Sequence, residues 1–358
     1  MENVYDFHVH YTFDVPLKEK VEIFKEEFKV TKTEKYCFLS LPHHAHGDEV
    51  KFDATQNVVG LFLKKTFSPN AYAFAGLEHP TAIYDKKKVG EDFLNQAKTY
   101  MAVGFDGIKM LEGYPSIVRN WNLGVDDCVY DRFYAYMEEN GFPIVMHIAN
   151  PTENWDISKA SANAIKEGRV YDETYPTKKE LIGQVFNVLK KFPKLKLTLA
   201  HFGFLSDDIK RAEEFLSYQS TSFDVTPGGE QLIKMSKNWD LWLNFWQKNL
   251  DRIIYGTDFY AFPKDEKWQE NFLRRPSFIR CFFETNEMHS YVDGDFKGVL
   301  LSQKMREKIY RENFIKILGE PKKISIEFLI DVASELLRSN NIKSDILIAD
   351  LKYILENL

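Results

Sequence analysis

The sequence predicts an α/β protein built as an eight-stranded parallel barrel, (β/α)8, with a helical extension at its C-terminal end. Two observations predict it. Eight short apolar runs of strand length alternate with segments of helical periodicity, without the turn signals of hairpins, which describes a right-handed parallel array. Eight of the nine histidines fall at the ends of those runs or in the loops just after them.

The chain of 358 residues has room for one large barrel, expected over residues 1–319, followed by an extension over 320–358. Hydrophobic residues are 44% and charged residues 28%, ordinary for a globular protein, and 29 Phe with 18 Tyr predict an aromatic core. A net charge of −6 with dispersed signs argues against nucleic acid as the main partner, because phosphates demand a basic face. Lys86-Lys87-Lys88 is short and reads as a solvated surface. Cys37, Cys128 and Cys281 lie far apart and form no CxxC pair, which fits a reducing compartment. No apolar run approaches the roughly 18 residues of a membrane span, and no signal-peptide pattern opens the chain, so a cytoplasmic protein is expected.

The first strand is Asp6-Phe7-His8-Val9-His10. Side chains two apart on a strand share a face, so His8 and His10 project together and can share one metal ion. Alone, the pair is also what a loop edge carrying two histidines looks like. An amphipathic helix over 17–30 (Val21, Phe24, Phe28) leads to a second strand at 36–41, stopped by Pro42. His43, His44 and His46 follow in an expected loop. A helix near 57–66 precedes the third strand, 71–77, with His79 just beyond it. A helix over 91–103 ends at Gly104, and the fourth strand, 105–111, carries Lys109.

The helix at 126–140 leads to the fifth strand, 143–147, which ends on His147. The thirty or so residues that follow exceed an ordinary βα connection and read as a lid, containing Trp155 and Tyr175. The sixth strand, 195–201, ends on His201, and the seventh is 221–225. Gly228-Gly229 has no Lys-Ser/Thr after it, so no phosphate loop is expected, and no Ser-centred nucleophile elbow occurs either. A Trp-rich helix precedes the eighth strand, 253–258, which ends on Asp258. A second excursion, 259–301, reaches the closing helix at 303–318, and two amphipathic helices joined at Asn340-Asn341 form the tail, packed on the barrel or used for self-association.

In a closed parallel barrel the strand C-termini meet at one mouth, so His8, His10, His147 and His201 converge there. Asp258 ends the buried run IIYGT, where an unpaired carboxylate would cost several kcal/mol; a metal, a protonated histidine or a helix N-terminus would satisfy it.

With these residues in place, the chain resembles the amidohydrolase superfamily, and its amidohydrolase-2 branch of hydrolases, lactonases and non-oxidative decarboxylases. The likeness rests on His8-x-His10, Lys109 in GIKML, His147 in PIVMHIAN, His201 in LTLAHFG, Asp258 in IIYGTDFY, and a closing IYRENF segment. It covers residues 1–319. By position it implies His8, His10, His147 and Asp258 as metal ligands, with Asp258 and His201 catalytic: Asp258 passing the water's proton to the leaving group, His201 orienting water or binding a second metal. Lys109 with His201 is the candidate second site. In binuclear relatives a lysine here is carboxylated, whereas pairing with an acidic neighbour or with a substrate anion is the preferred reading. Zn2+ suits three histidines and a carboxylate, with Mn2+ or Fe2+ as alternatives, and one ion is expected rather than two.

Arg119, His43, His44 and Trp155 are placed as substrate contacts, with a solvated loop as the plainer role of the two histidines and lid packing as that of Arg119 and Trp155, the preferred one for Trp155. The leading expectation is a metal-dependent hydrolase that activates water against a small-molecule ester, lactone or amide. The alternatives are a non-oxidative decarboxylase on the same site and a catalytically silent metal-bound scaffold. A small-molecule substrate and a homodimer are the expected partners; nucleic acid and membrane are not.

Overall fold

The computed structural model describes residues 2–11, 15–46, 49–80, 85–227, 231–264, 267–339 and 342–358, without the side chains of His44, His46, Gln269 and Asn271. Gly228-Gly229 and the Asn340-Asn341 junction lie outside the described residues.

Eight parallel strands run in chain order around one sheet: β1 (Val4–Val9), β2 (Thr33–Leu39), β3 (Ala71–Gly76), β4 (Gly107–Gly113), β5 (Ile144–Ile148), β6 (Leu197–Leu199), β7 (Thr221–Asp224) and β8 (Ile253–Ile254). The circle closes beyond the short β8. Phe7 N donates to Tyr255 O at 3.1 Å, and His10 N donates to Phe259 O at 2.7 Å. Gly256 permits this approach, since a Cβ there would stand 3.0 Å from His8 Cβ and 2.8 Å from Thr226 Cγ2.

Phe7, Cys37, Leu39, Phe74, Val145 and Ile254 come from strands all round the circle and pack on one another, so they fill its interior. Phe314 of the closing helix joins this floor from below. The register of β1 against β2 slips between Asp6 and Val9. Strict alternation would set Phe7 opposite His8; this irregularity accompanies a Phe7 that faces the floor while His8 and His10 face the mouth above it.

The helices on the outside are α1 (Leu17–Thr31), α2 (Gln56–Thr66), α3 (Lys86–Val103), α4 (Asp131–Asn140), α5 (Lys178–Lys191), α6 (Ile209–Ser217), α7 (Trp239–Asn249), α8 (Trp268–Glu284) and the closing α9, made of Gln303–Glu307, Lys308–Glu312 and Asn313–Leu318 with a π turn in the middle. α3 starts where the Asp85 carboxylate accepts from Lys87 N and Lys88 N, and α5 starts on a capping box between Thr177 and Glu180.

Two antiparallel hairpins break the expected absence of hairpins: His43–His46 with Glu49–Phe52, and Met288–Tyr291 with Gly294–Lys297. The first corrects the loop expected at His43, His44 and His46, which form a strand paired to 49–52. The second excursion is also more ordered than its composition indicates, because α8 runs through it with Pro276 inside. Short helices at Pro115–Trp121 and Ala162–Lys166 also go beyond the elements that periodicity predicts.

The tail packs on its own barrel. It crosses the turn before β4, where Ser325 N donates to Val103 O at 2.9 Å and Gly104, at φ +112°, leaves room for Lys323 O. α10 (Ile326–Arg338) and α11 (Asp345–Glu356) then lie against α1 and α2. Pro16 gives α1 no side-chain cap; instead Asp350 Oδ1 accepts from Leu17 N at 2.7 Å, and Lys20 Nζ stands 3.4 Å from Asp350 Oδ2. No helix among the described residues is long and apolar enough to cross a membrane.

Candidate metal centre

β1 carries His8 and His10 to the mouth, and the turn after β8 brings Asp258 to meet them in a left-handed conformation (φ +53°). Asp6 ties the two segments together. Its Oδ1 accepts from His8 N at 3.0 Å and Thr257 N at 3.1 Å, and its Oδ2 accepts from Thr257 Oγ1 at 2.5 Å. Burial pushes the Asp6 carboxyl up to about 7 against these bonds.

Hydrogen bonds decide which ring nitrogens are free. His10 Nδ1 lies 2.8 Å from the Leu39 carbonyl, which only accepts, so Nδ1 carries the proton and Nε2 keeps a lone pair. His8 Nδ1 lies 2.8 Å from Asp224 Oδ2, with the same consequence. The two Nε2 atoms are 3.0 Å apart, and Asp258 Oδ1 is 3.6 and 3.5 Å from them. Three electron-pair donors therefore converge on one point. Ligands held at about 2.0–2.2 Å from one ion lie about 3.0–3.5 Å from each other, so the trio fits a divalent metal. Burial holds His8 well below its ordinary value and His10 down at about 4, so both rings are neutral, the form a metal takes.

Asp224 is the hub behind them. Its Oδ2 holds His8; its Oδ1 accepts from Thr226 Oγ1 at 2.7 Å and from His201 N at 2.7 Å. Because Thr226 gives its proton to Asp224, it accepts from His201 Nδ1 at 2.7 Å, which leaves His201 Nε2 as that ring's acceptor. Burial draws His201 down to about 3. Lys109 Nζ is 3.2 Å from His8 Nε2, and burial lowers it to about 8, with Asp224 and Asp258 opposing that fall.

Burial would raise Asp258, but Arg275 reverses the shift. Its Nη1 donates to Asp258 Oδ2 at 2.7 Å and also to the Asp258 carbonyl, and with the histidines it holds the carboxyl well below the usual range.

His147 reaches the same mouth but stays out of the trio. Its Nε2 lies 3.0 Å from Ala149 O, and its ring centroid is 4.9 Å from that of His201. A cavity of about 770 Å³ opens above the group, lined by His10, Lys109, His147, His201, Asp258 and Arg275 among others.

Three of the proposed substrate contacts do not line this cavity. Arg119, from the helix at Pro115–Trp121, stacks over Tyr175 of the lid at 4.0 Å, and Trp155 Nε1 donates to Pro176 O at 3.1 Å within the lid. His43 Nε2 accepts from His79 N at 2.9 Å, beside a buried His79–Glu112 contact of 3.0 Å. The His44 side chain lies outside the described residues. Sequence reasoning missed Asp224 and Arg275. Asp224 was findable: like Asp258, it is an acid at the end of a buried strand, in TSFDV. Arg275 had no such signal, because it comes from an excursion in which periodicity predicts no helix.

Residues 88–224 match the family model described as Amidohydrolase, of the amidohydrolase-2 type. The match spans 137 of the 358 residues, and over that segment the chain is similar to the amidohydrolases. The matched segment holds Lys109, His147, His201 and Asp224; the fold supplies His8, His10 and Asp258 from either side of it. The barrel is similar to 2,6-dihydroxybenzoate decarboxylase from Rhizobium, at 15% identity and TM-score 0.53 over 89% of this chain and 99% of that one. It is similar to 4-oxalomesaconate hydratase from Rhodopseudomonas palustris, at 13% identity and TM-score 0.52 over 95% and 100%. Dihydroxybenzoic acid decarboxylase from Polaromonas, solved with bound manganese and 2-nitroresorcinol, aligns at 14% identity and TM-score 0.51 over 89% and 97%. At these identities the likeness is one of fold. No curated protein matches the sequence.

Proposed function

We propose that this chain is a divalent-metal-dependent enzyme that removes carbon dioxide from a small, partly apolar carboxylate. The state of Asp258 carries this reading. Oδ1 faces the two histidine Nε2 atoms and Oδ2 accepts from Arg275, whose charge opposes protonation of the carboxylate. Held ionised by Arg275, it is also a weak base, whereas a hydrolase needs an acceptor matched to neutral pH. Arg169, Arg274, Arg275 and Lys109 at the cavity favour an anionic substrate. The decarboxylases of similar fold support the same reading.

His8, His10 and Asp258 would hold the ion, which when bound supplies positive charge to polarise a substrate oxygen. Asp224 fixes the His8 tautomer, and Arg275 keeps Asp258 charged. Loss of CO2 leaves an electron pair on carbon that must take a proton. Lys109 lines the cavity, is protonated at neutral pH and has been brought to about 8, so it is suited to donate that proton.

Hydrolysis, the leading expectation from sequence, is favoured by one feature, the acceptor Nε2 of His201 above the same centre. Turnover of manganese- or zinc-loaded protein in H2(18)O, against panels of aromatic and aliphatic carboxylates and of esters and lactones, separates the two. Release of CO2 with no 18O in the organic product is expected. A product carrying one 18O, with no CO2, would overturn decarboxylation in favour of hydrolysis.

A further inference from the structure

Away from the metal ligands, the cavity wall holds a second focus of positive charge that neither the trio nor Lys109 uses. Arg169 enters from the lid after β5 and Arg274 from α8, and both line the cavity. The Nε atoms of both are buried without a hydrogen-bond partner. Arg169 reaches Glu167 through Nη2 at 2.7 Å, which leaves its Nε side open to the interior. Among the described residues Arg274 makes no hydrogen bond and no ion pair.

Buried donors of a guanidinium left unpaired cost free energy, and a planar carboxylate that accepts from the fork is the natural partner. Besides Glu167, a second protein carboxylate is close enough to matter. Asp293, from the turn of the second hairpin, lies in the field of Arg274, Arg169 and Arg275 but forms no ion pair with any of them. Burial raises its carboxyl while the three arginines pull it back, so Asp293 moderates the charge of this wall without cancelling it. Tyr260, 5.1 Å from the His10 ring, and Tyr291 line the same cavity and add aromatic surface to it.

We infer that Arg169 and Arg274 form a second anion subsite, so that the substrate carries two anionic groups, one at the metal centre and a carboxylate at this arginine pair. The inference rests on the proposed metal-dependent reading for the first anion only. The second subsite stands on the arginines alone. It assigns the substrate class as small dicarboxylates, or carboxylates with a second acidic group, with an unsaturated or aromatic body between them.

Calorimetric titration of the full chain with inert anions tests this without any turnover. Probes are acetate, propionate and butyrate against malonate, succinate and glutarate, each with and without saturating Mn2+. With Mn2+, the best dicarboxylate is expected to bind about tenfold or more tighter than the monocarboxylate of equal length. That preference should disappear in Arg274→Met and in Arg169→Met. Without Mn2+, weak carboxylate binding should persist in the wild type and be lost in both variants. Arg274→Lys, which keeps the charge and loses the fork, should retain part of it and guards against misfolding of the methionine variants. Equal affinity for the two series in the wild type, or a preference that survives both methionine variants, overturns the subsite. Arginine-dependent binding that does not respond to Mn2+ upholds the subsite while overturning the metal-centre reading, so the two failures are distinct.

Discussion

On the β1–β8 side of the mouth, His8 and His10 turn Nε2 inward because Asp224 and the Leu39 carbonyl hold their Nδ1 atoms. On the β5–β6 side, His147 commits Nε2 to the Ala149 carbonyl, and His201 commits Nδ1 to Thr226. All four rings are buried and all four are neutral, so burial does not distinguish them. The difference lies in which nitrogen is committed and where the other one points. His147 gives up Nε2, whereas His8, His10 and His201 give up Nδ1 and keep Nε2 as acceptor, and His8 and His10 turn theirs toward Asp258 as candidate ligands.

Replacing His8 or His10 by Ala should break the prepared side outright. Metal by elemental analysis should fall to background and activity by at least about 10³-fold; a variant that keeps its metal would show the two sides to be equivalent. Lys109 lies between the sides and should register in stability. Its amine titrates near 8 in the folded chain, against 10.5 for a solvated lysine, so the unfolded chain binds more protons between those values. Metal-free protein should therefore gain up to roughly 3 kcal/mol in urea unfolding as pH rises from 8 toward 10.5, and Lys109→Met should flatten that rise.

Asp224→Asn keeps the shape of the hub and removes its charge, and it should weaken metal binding about 10–100-fold in a competitive chelator titration. His147→Ala gives the smallest effect and the sharpest test. With Nε2 on Ala149, its loss should change metal affinity by less than about fivefold; a loss as deep as that of His8→Ala would mean that the ring leaves Ala149 and serves as the ligand the family resemblance implies.

The barrel was legible because each strand is a short apolar run that ends in a residue with chemistry, a pattern local to the sequence. His8, His10 and Asp258 were legible for the same reason. Asp224 and Arg275 act through residues far along the chain: Asp224 across 216 positions to His8 and Arg275 across 17 to Asp258, the latter from inside a helix that contains Pro276. No spacing rule reports such pairings. Arg119 misled because an arginine just after a strand reads as facing the mouth, while the helix at Pro115–Trp121 and the ring of Tyr175 draw it outward.

Asp350 gives the end of the chain a hold on its beginning. The amide of Leu17, at the start of the helix that follows the HxH strand, finds its acceptor 333 positions later, and the buried Lys20 finds its charge partner in the same carboxylate. During synthesis, the first βα unit therefore waits for a residue 333 positions further on before its opening helix is capped and its buried lysine neutralised. A chain cut short before α11 would have every candidate ligand of the metal centre, and would still begin with a frayed helix directly behind it.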